Sequence, residues 1–184
     1  GRRSPGRFVT LETVGLIALF GGFAVTALAE TLWPRHGWSA RERLTHLLRN
    51  LALWALFLIV VSLLSTTLLV PLSDAARTYR LGLLNLWPTP YWLAFAVGFL
   101  LADFSDYVLH RLSHQWRPLW LLHAVHHSDP KLDVSTSLRQ HPLFYVASLT
   151  VRVLLTFAIG APIESLIVRD LCGVVTSHLH HAAI

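Results

Sequence analysis

Long stretches without a charged residue alternate along this chain with short polar segments. Positions 13–29, 51–73 and 81–102 contain no Asp, Glu, Lys or Arg. Each stretch is close to the roughly 20 apolar residues that an α-helix needs to cross the hydrocarbon of a bilayer. The pattern therefore predicts three membrane-spanning helices.

The residues that flank these stretches set the predicted ends of the spans. The first span is expected at about Phe8–Leu32, and the second at about Leu47–Leu72, followed by the polar connector SDAARTYR. Proline suits the first turn of a helix and disrupts its interior. We therefore begin the third span at Pro90, with Thr89 as its N-cap.

The C-terminal part of the chain, positions 143–181, is typical of a helical hairpin that turns near positions 160–162. Arg152 and Asp170 lie equally far from the centre of that turn, so they would share one depth. A charge inside a membrane is costly unless it is paired. We expect Arg152 and Asp170 to contact each other, and Arg169 to turn toward another partner.

Composition supports a membrane protein and narrows its chemistry. The chain is 54% hydrophobic and 14% charged, with a mean hydropathy of +0.53. The net charge is +5, but the arginines flank the spans, which indicates membrane orientation and no nucleic-acid partner. The single cysteine, Cys172, excludes an internal disulfide and a cluster of thiolate metal ligands.

The basic loop after the first span predicts the orientation, because such loops stay cytoplasmic. The second span then leaves the cytoplasmic face and the third returns to it, as does the hairpin. The predicted fold class is all-α: a polytopic transmembrane protein of about three spans plus a helical hairpin, forming a single membrane domain over 1–184. A histidine-rich helical cap would lie at its cytoplasmic face.

Histidines crowd together where the third span ends. His110 and His114 are four residues apart, and the segment HAVHH spaces three more at i, i+3 and i+4, so each group shares one helix face. Neutral imidazole is the commonest metal ligand, and this number of histidines would serve two metals. The candidate ligands are His110, His114, His123, His126, His127, His141, His178 and His181.

The other polar residues near these histidines are not predicted to be metal ligands. Asp103 and Asp106 precede His110 on the same helix and could accept the second N–H of ligating histidines. His36 and His46 are interpreted as ordinary histidines at the membrane boundary. His180 points away from the face that His178 and His181 share.

Several motifs together resemble the fatty acid hydroxylase / sterol desaturase superfamily of membrane di-iron enzymes, and its bacterial branch most. They are HRLSH preceded by DFSDYVL, HAVHH followed by SDP, then LRQHP, and finally HHAAI. The resemblance is strongest over the histidine-box region 103–142, and it matches His181 in the third histidine stretch, 178–181. The family continues to a last H-x-x-H-H box that this chain does not reach, so we expect an incomplete ligand set here.

The resemblance implies an oxidoreductase with two iron ions that uses O2 to hydroxylate or desaturate a lipid or sterol-like substrate in the bilayer. The chain has no dinucleotide fingerprint or haem-attachment motif, so a separate electron-donor protein is expected. The expected location is the bacterial inner membrane, with the histidine site cytoplasmic. A haem-carrying electron-transfer subunit is one alternative, disfavoured by histidines paired at the ends of spans. A metal transporter is the other, disfavoured because the only ionisable residues deep in the predicted spans are Arg152, Arg169 and Asp170, and arginine is a poor metal ligand.

Overall fold

The computed structural model describes residues 11–34 and 37–182, without the side chains of residues 11 and 12. No β-strand occurs in these described residues. Their α-helices are α1 (Leu11–Leu16), α2 (Gly22–Leu32), α3 (Ala40–Leu64), α4 (Val70–Thr78), α5 (Tyr91–Gln115), α6 (Arg117–His127), α7 (Pro142–Leu154) and α8 (Ile163–His181). Three π-helical segments continue α1, α3 and α7, namely Ile17–Gly21, Ser65–Leu69 and Leu155–Ile159.

Within the described part of the chain, four helical stretches are long and apolar enough to cross a membrane. They are Thr13–Leu32, Ala40–Asn85, Tyr91–Gln115 and Pro142–Ile159. The predicted all-α polytopic membrane fold is thus confirmed, although the expected start of the first span at Phe8 lies outside the described residues. The second arm of the hairpin, α8, is not among the four.

The second span is much longer than predicted. A capping box starts α3: the Ser39 hydroxyl accepts from the Glu42 N–H, and the Glu42 carboxylate accepts from the Ser39 N–H. The helix then continues through the π-helical turn into α4, so most of the expected connector SDAARTYR is helical, as far as Thr78. Its alanines and arginines are good helix formers. Pro71 is tolerated because it falls in the first turn of α4, after the π-helical turn.

The third span and α6 place the histidine boxes side by side. Pro90 is the N-cap of α5, so the helix begins one residue later than predicted. It ends at Gln115, and Trp116 has an extended backbone (φ −109°, ψ 114°) that separates α5 from α6. Pro118 lies in the first turn of α6. The break lets α6 fold back and pack against α5.

The hairpin between α7 and α8 turns where the sequence predicts. Gly160 adopts a left-handed conformation (φ +81°), which ends the helical backbone before Pro162 caps α8. A Cβ on Gly160 would lie 2.7 Å from Asn85 Nδ2. The turn after α4 therefore packs closely on the hairpin turn, and the histidines of α8 reach the opposite end of the molecule.

Gly160→Ala is expected to destabilise the protein by about 1–2 kcal/mol, because an L-residue in the left-handed region is strained and the new methyl group would crowd Asn85. Thermal unfolding in detergent measures the change. Gly37→Ala is the matched control, since nothing lies within 4 Å of a Cβ there. Equal melting temperatures for the two variants would contradict the assignment of strain to this turn.

Candidate metal centre

Four histidines from the end of α5 and from α6 form a compact group, which we call the four-histidine cluster. One imidazole nitrogen from each of His110, His114, His123 and His127 lies within 4.8 Å of the others. His114 Nε2 is 3.2 Å from His110 Nε2, and His127 Nε2 is 3.1 Å from His123 Nε2. The two histidine groups therefore meet, but His126, which we expected in the same cluster, turns its Nε2 toward His181. Their role as metal ligands remains a prediction.

Aromatic rings surround this cluster. His123 is 3% exposed and stacks on Phe144 of α7, with 5.3 Å between ring centroids. Trp120 stacks on His127 at 5.8 Å and lies 5.6 Å from the ring of His114. These contacts restrict the rotation of the imidazoles, so the nitrogens are held in place before any ligand binds.

A second pair of imidazoles lies beside the cluster. His181, at the end of α8, brings its Nε2 to 3.0 Å from the Nε2 of His126. The Nδ1 atoms of both rings face backbone carbonyls, those of Arg139 at 3.2 Å and Ser177 at 2.7 Å. A carbonyl only accepts, so each Nδ1 carries the hydrogen and donates it. The two facing Nε2 atoms then both present lone pairs.

The histidines of α6 are neutral at physiological pH. Burial, together with the nearby imidazoles of His110 and His127, lowers the pKa of His123 to about 3. Burial and the neighbouring His181 lower the pKa of His126 to about 4. Neutral imidazole is the form that binds a metal.

The donor set fits a metal centre built of imidazole alone. Imidazole nitrogen suits iron, zinc and copper, and ligating histidines commonly donate their other N–H to a carbonyl or carboxylate. His126 and His181 show this arrangement, and their facing lone pairs suit a shared cation. The four-histidine cluster would hold one metal, and this pair would contribute two ligands to a second.

Two predicted ligands lie apart from these groups. Nδ1 of His141 accepts from the Leu143 N–H at 3.2 Å, which caps α7. His178 is 2% exposed and packs against Phe23 of α2, at 5.8 Å between ring centroids. The described residues show no metal-binding group that includes either histidine. Both remain candidates from the sequence only.

Two arginines and three aspartates form an ion-pair network among α5, α7 and α8. Arg152 contacts Asp170, and its Nη1 is 3.5 Å from Asp106 Oδ1. Arg169 contacts Asp106, and its Nε is 3.2 Å from Asp103 Oδ1. The predicted contact of Arg152 with Asp170 is confirmed. Arg169 turns toward Asp103 and Asp106 as well, although its Nη1 also lies 3.9 Å from Asp170 Oδ1. Asp103 and Asp106 thus pair with arginines. From the sequence, we had expected them to accept hydrogen bonds from ligating histidines.

His46 differs from its sequence interpretation as a boundary residue. It is buried, and its Nε2 lies 3.3 Å from Asp129 Oδ2, 3.4 Å from Asp133 Oδ1 and 3.1 Å from Asn50 Nδ2. The loop after α6 covers this part of α3, which explains the burial. The spacing of His46 and Asn50, one helical turn apart on one face, was the signal available in the sequence. His36 lies outside the described residues.

The fold and the histidine cluster together define a class of protein: an integral membrane protein with an imidazole-rich candidate metal site near the ends of its helices. The profile described as "Fatty acid hydroxylase" matches residues 95–184, which include all of α6, α7 and α8 and most of α5. Residues 95–184 belong to the fatty acid hydroxylase superfamily.

Several characterised proteins are similar to this chain. The ornithine lipid hydroxylase OlsE of Rhizobium tropici is 27% identical over 157 residues, which cover 84% of this chain and 45% of that protein. The alkylglycerol monooxygenase of Homo sapiens is 40% identical over 68 residues, covering 36% of this chain and 14% of the enzyme. That of Danio rerio is 44% identical over 50 residues, 27% of this chain and 10% of the enzyme.

This chain therefore spans less than half the length of each of these relatives. No solved structure matches it significantly. Family membership consequently rests on the sequence comparisons and is consistent with the helical fold and the histidine cluster.

Proposed function

We propose that the protein is a membrane-bound di-iron oxidoreductase that uses O2 to hydroxylate or desaturate a lipid or sterol-like substrate. One observation carries the proposal: six imidazoles from α5, α6 and α8 converge in two adjacent groups within a chain of the fatty acid hydroxylase superfamily. The six are His110, His114, His123, His126, His127 and His181.

The convergence suits two metals better than one. The four-histidine cluster offers enough nitrogens for one ion, and His126 lies 5.5 Å from His123 between ring centroids. The pair of His126 and His181 would therefore adjoin the first ion and share in holding a second. Iron bound there would supply the capacity to activate O2 for attack on an unreactive C–H bond.

Hydroxylation is favoured over desaturation by the names of the similar proteins, which are a hydroxylase and monooxygenases of lipids. In hydroxylation, one oxygen atom of O2 enters the substrate and the other leaves as water. That balance needs two electrons and two protons from outside the substrate. We therefore include a separate electron-donor protein in the proposal.

The position of the cluster suits a substrate that lies in the bilayer. His110 and His114 are exposed residues in the last turns of the third span, so a lipid chain can reach them from the membrane boundary. The electron-donor protein would approach the same boundary from the aqueous side. The proposed location is the bacterial inner membrane with the histidines on the cytoplasmic side, which the arginines in the first turns of α3, Arg41, Arg43 and Arg49, support.

The test combines metal analysis with lipid analysis. Full-length protein purified in detergent under reducing conditions is expected to contain about two irons per chain and no haem. Cells that express the protein and are supplied with isotopically labelled O2 are expected to accumulate a lipid that carries one labelled oxygen atom. Mass spectrometry of the extracted lipids detects that product.

The matched control is the same protein with His123→Ala, expressed to the same level. A labelled lipid in both samples would show that another enzyme makes it. Purified protein with haem, or without iron under reducing conditions, would contradict the di-iron proposal directly.

A further inference from the structure

Arg139 joins α6 and α3 beside the proposed metal site. Its Nε donates to the carbonyl of Val125 at 2.8 Å, and its Nη2 donates to the Ser128 hydroxyl at 2.9 Å, both at the end of α6. Its Nη1 donates to Asn50 Oδ1 on α3 at 3.1 Å. The guanidinium group therefore clamps the C-terminal end of α6 to α3.

The backbone of the same residue holds a candidate ligand. The carbonyl of Arg139 accepts from Nδ1 of His126 at 3.2 Å, which directs the Nε2 lone pair of His126 toward His181. The three side-chain hydrogen bonds of Arg139 help the bond from its backbone N–H to the Thr136 carbonyl to hold this residue in place. Movement of the guanidinium group would therefore release the hydrogen bond that sets the tautomer and orientation of His126.

Asn50 anchors this clamp on α3. It is fully buried, and its Nδ2 donates to Ser135 Oγ at 2.8 Å and contacts His46 Nε2 at 3.1 Å. His46 in turn lies against Asp129 and Asp133. These contacts hold the amide so that its oxygen faces Arg139, and the buried position leaves it little freedom to turn.

We propose that Arg139, anchored by Asn50, is a positioning residue that presents His126 to the second metal. The inference rests on the proposed di-metal function and deepens it. Groups that accept a hydrogen bond from the second ring nitrogen of a ligating histidine fix the orientation of its ring. Their loss typically weakens metal affinity about 10- to 100-fold. The hydrogen bonds that the structure shows for the Arg139 guanidinium group reach none of the histidines in the four-histidine cluster. The affinity of that cluster for the first metal should therefore be unaffected.

Arg139→Lys tests the clamp with the positive charge retained. A lysine ammonium cannot reproduce the fixed fork of donors, so it cannot reach Val125, Ser128 and Asn50 together. Fe(II) is titrated anaerobically into the metal-free full-length protein in detergent. The wild type is expected to bind two ions, and the variant to bind the first normally and the second about 10- to 100-fold more weakly.

A double-mutant cycle separates positioning from general damage. His126→Ala should also lose only the second ion, and adding Arg139→Lys to it should weaken iron binding no further, because both changes act through one ligand. Asn50→Ala provides a second route to the same selective loss. Arg77→Lys, at an exposed pair with Asp74, and Arg49→Ala, beside Asn50 on the exposed side of α3, are the controls.

The outcomes distinguish this inference from the proposed function. Wild-type protein that binds no iron, or one ion only, would overturn the di-iron proposal itself. Wild-type protein that binds two ions, with Arg139→Lys and Asn50→Ala leaving both affinities unchanged or weakening both equally, would overturn the positioning role alone. Additive losses in the double mutant would do the same.

Discussion

Replacing His123 by alanine is expected to remove the metal from the four-histidine cluster and to abolish lipid oxidation. The ring of His123 lies 4.6 Å from that of His110, 4.9 Å from His114 and 4.7 Å from His127, so it contacts every other member. It is also the most buried of the four. Loss of a direct ligand should exceed the roughly 10- to 100-fold effect of losing an outer partner.

Iron content per chain, measured by mass spectrometry of the purified protein, checks this expectation. His180→Ala is the matched control, because His180 is exposed and lies on the same stretch as His181 without belonging to the cluster. Circular dichroism confirms that both variants remain helical. Full iron loading of His123→Ala, or an equal loss in His180→Ala, would contradict the role of the cluster.

The parts of the structure that follow from local spacing could be predicted from the sequence. An i, i+4 spacing brings His110 and His114 together on any helix, and the spacing in HAVHH does the same for its three histidines. Span lengths and the glycine of the hairpin turn then determine which ends meet. The contact of His181 with His126 follows from that topology, although the two residues are 55 positions apart.

The parts that depend on competition between long-range partners could not be predicted. Asp106 lies one turn from His110, but arginines from α7 and α8 reach its carboxylate. The partners that His46 and Arg139 gain when the loop after α6 folds onto α3 lie about 80 to 90 positions away in the sequence. Sequence spacing describes neighbours on one helix and contains no information on which other helix approaches them.

A large loss of stability is expected when Arg152 is replaced by methionine, which has similar length and no charge. Arg152 is 7% exposed and contacts Asp170, Asp106 and Ser148. Removing one partner of a buried ion pair typically costs about 3–5 kcal/mol, because the other charge stays buried without compensation. The lower end of this range or less is expected here, since the Asp170 side chain is 45% exposed and Arg169 also approaches it, at 3.9 Å.

Equilibrium unfolding in detergent measures this difference in free energy, with Arg77→Met as the control. Arg77 pairs with Asp74 in an exposed position, where an ion pair contributes about 1 kcal/mol or less. If uncompensated charge is the cause, adding Asp170→Asn to Arg152→Met should restore part of the lost stability. Equal stability of Arg152→Met and Arg77→Met, or a further loss in the double variant, would show that the ion-pair network does not stabilise the hairpin.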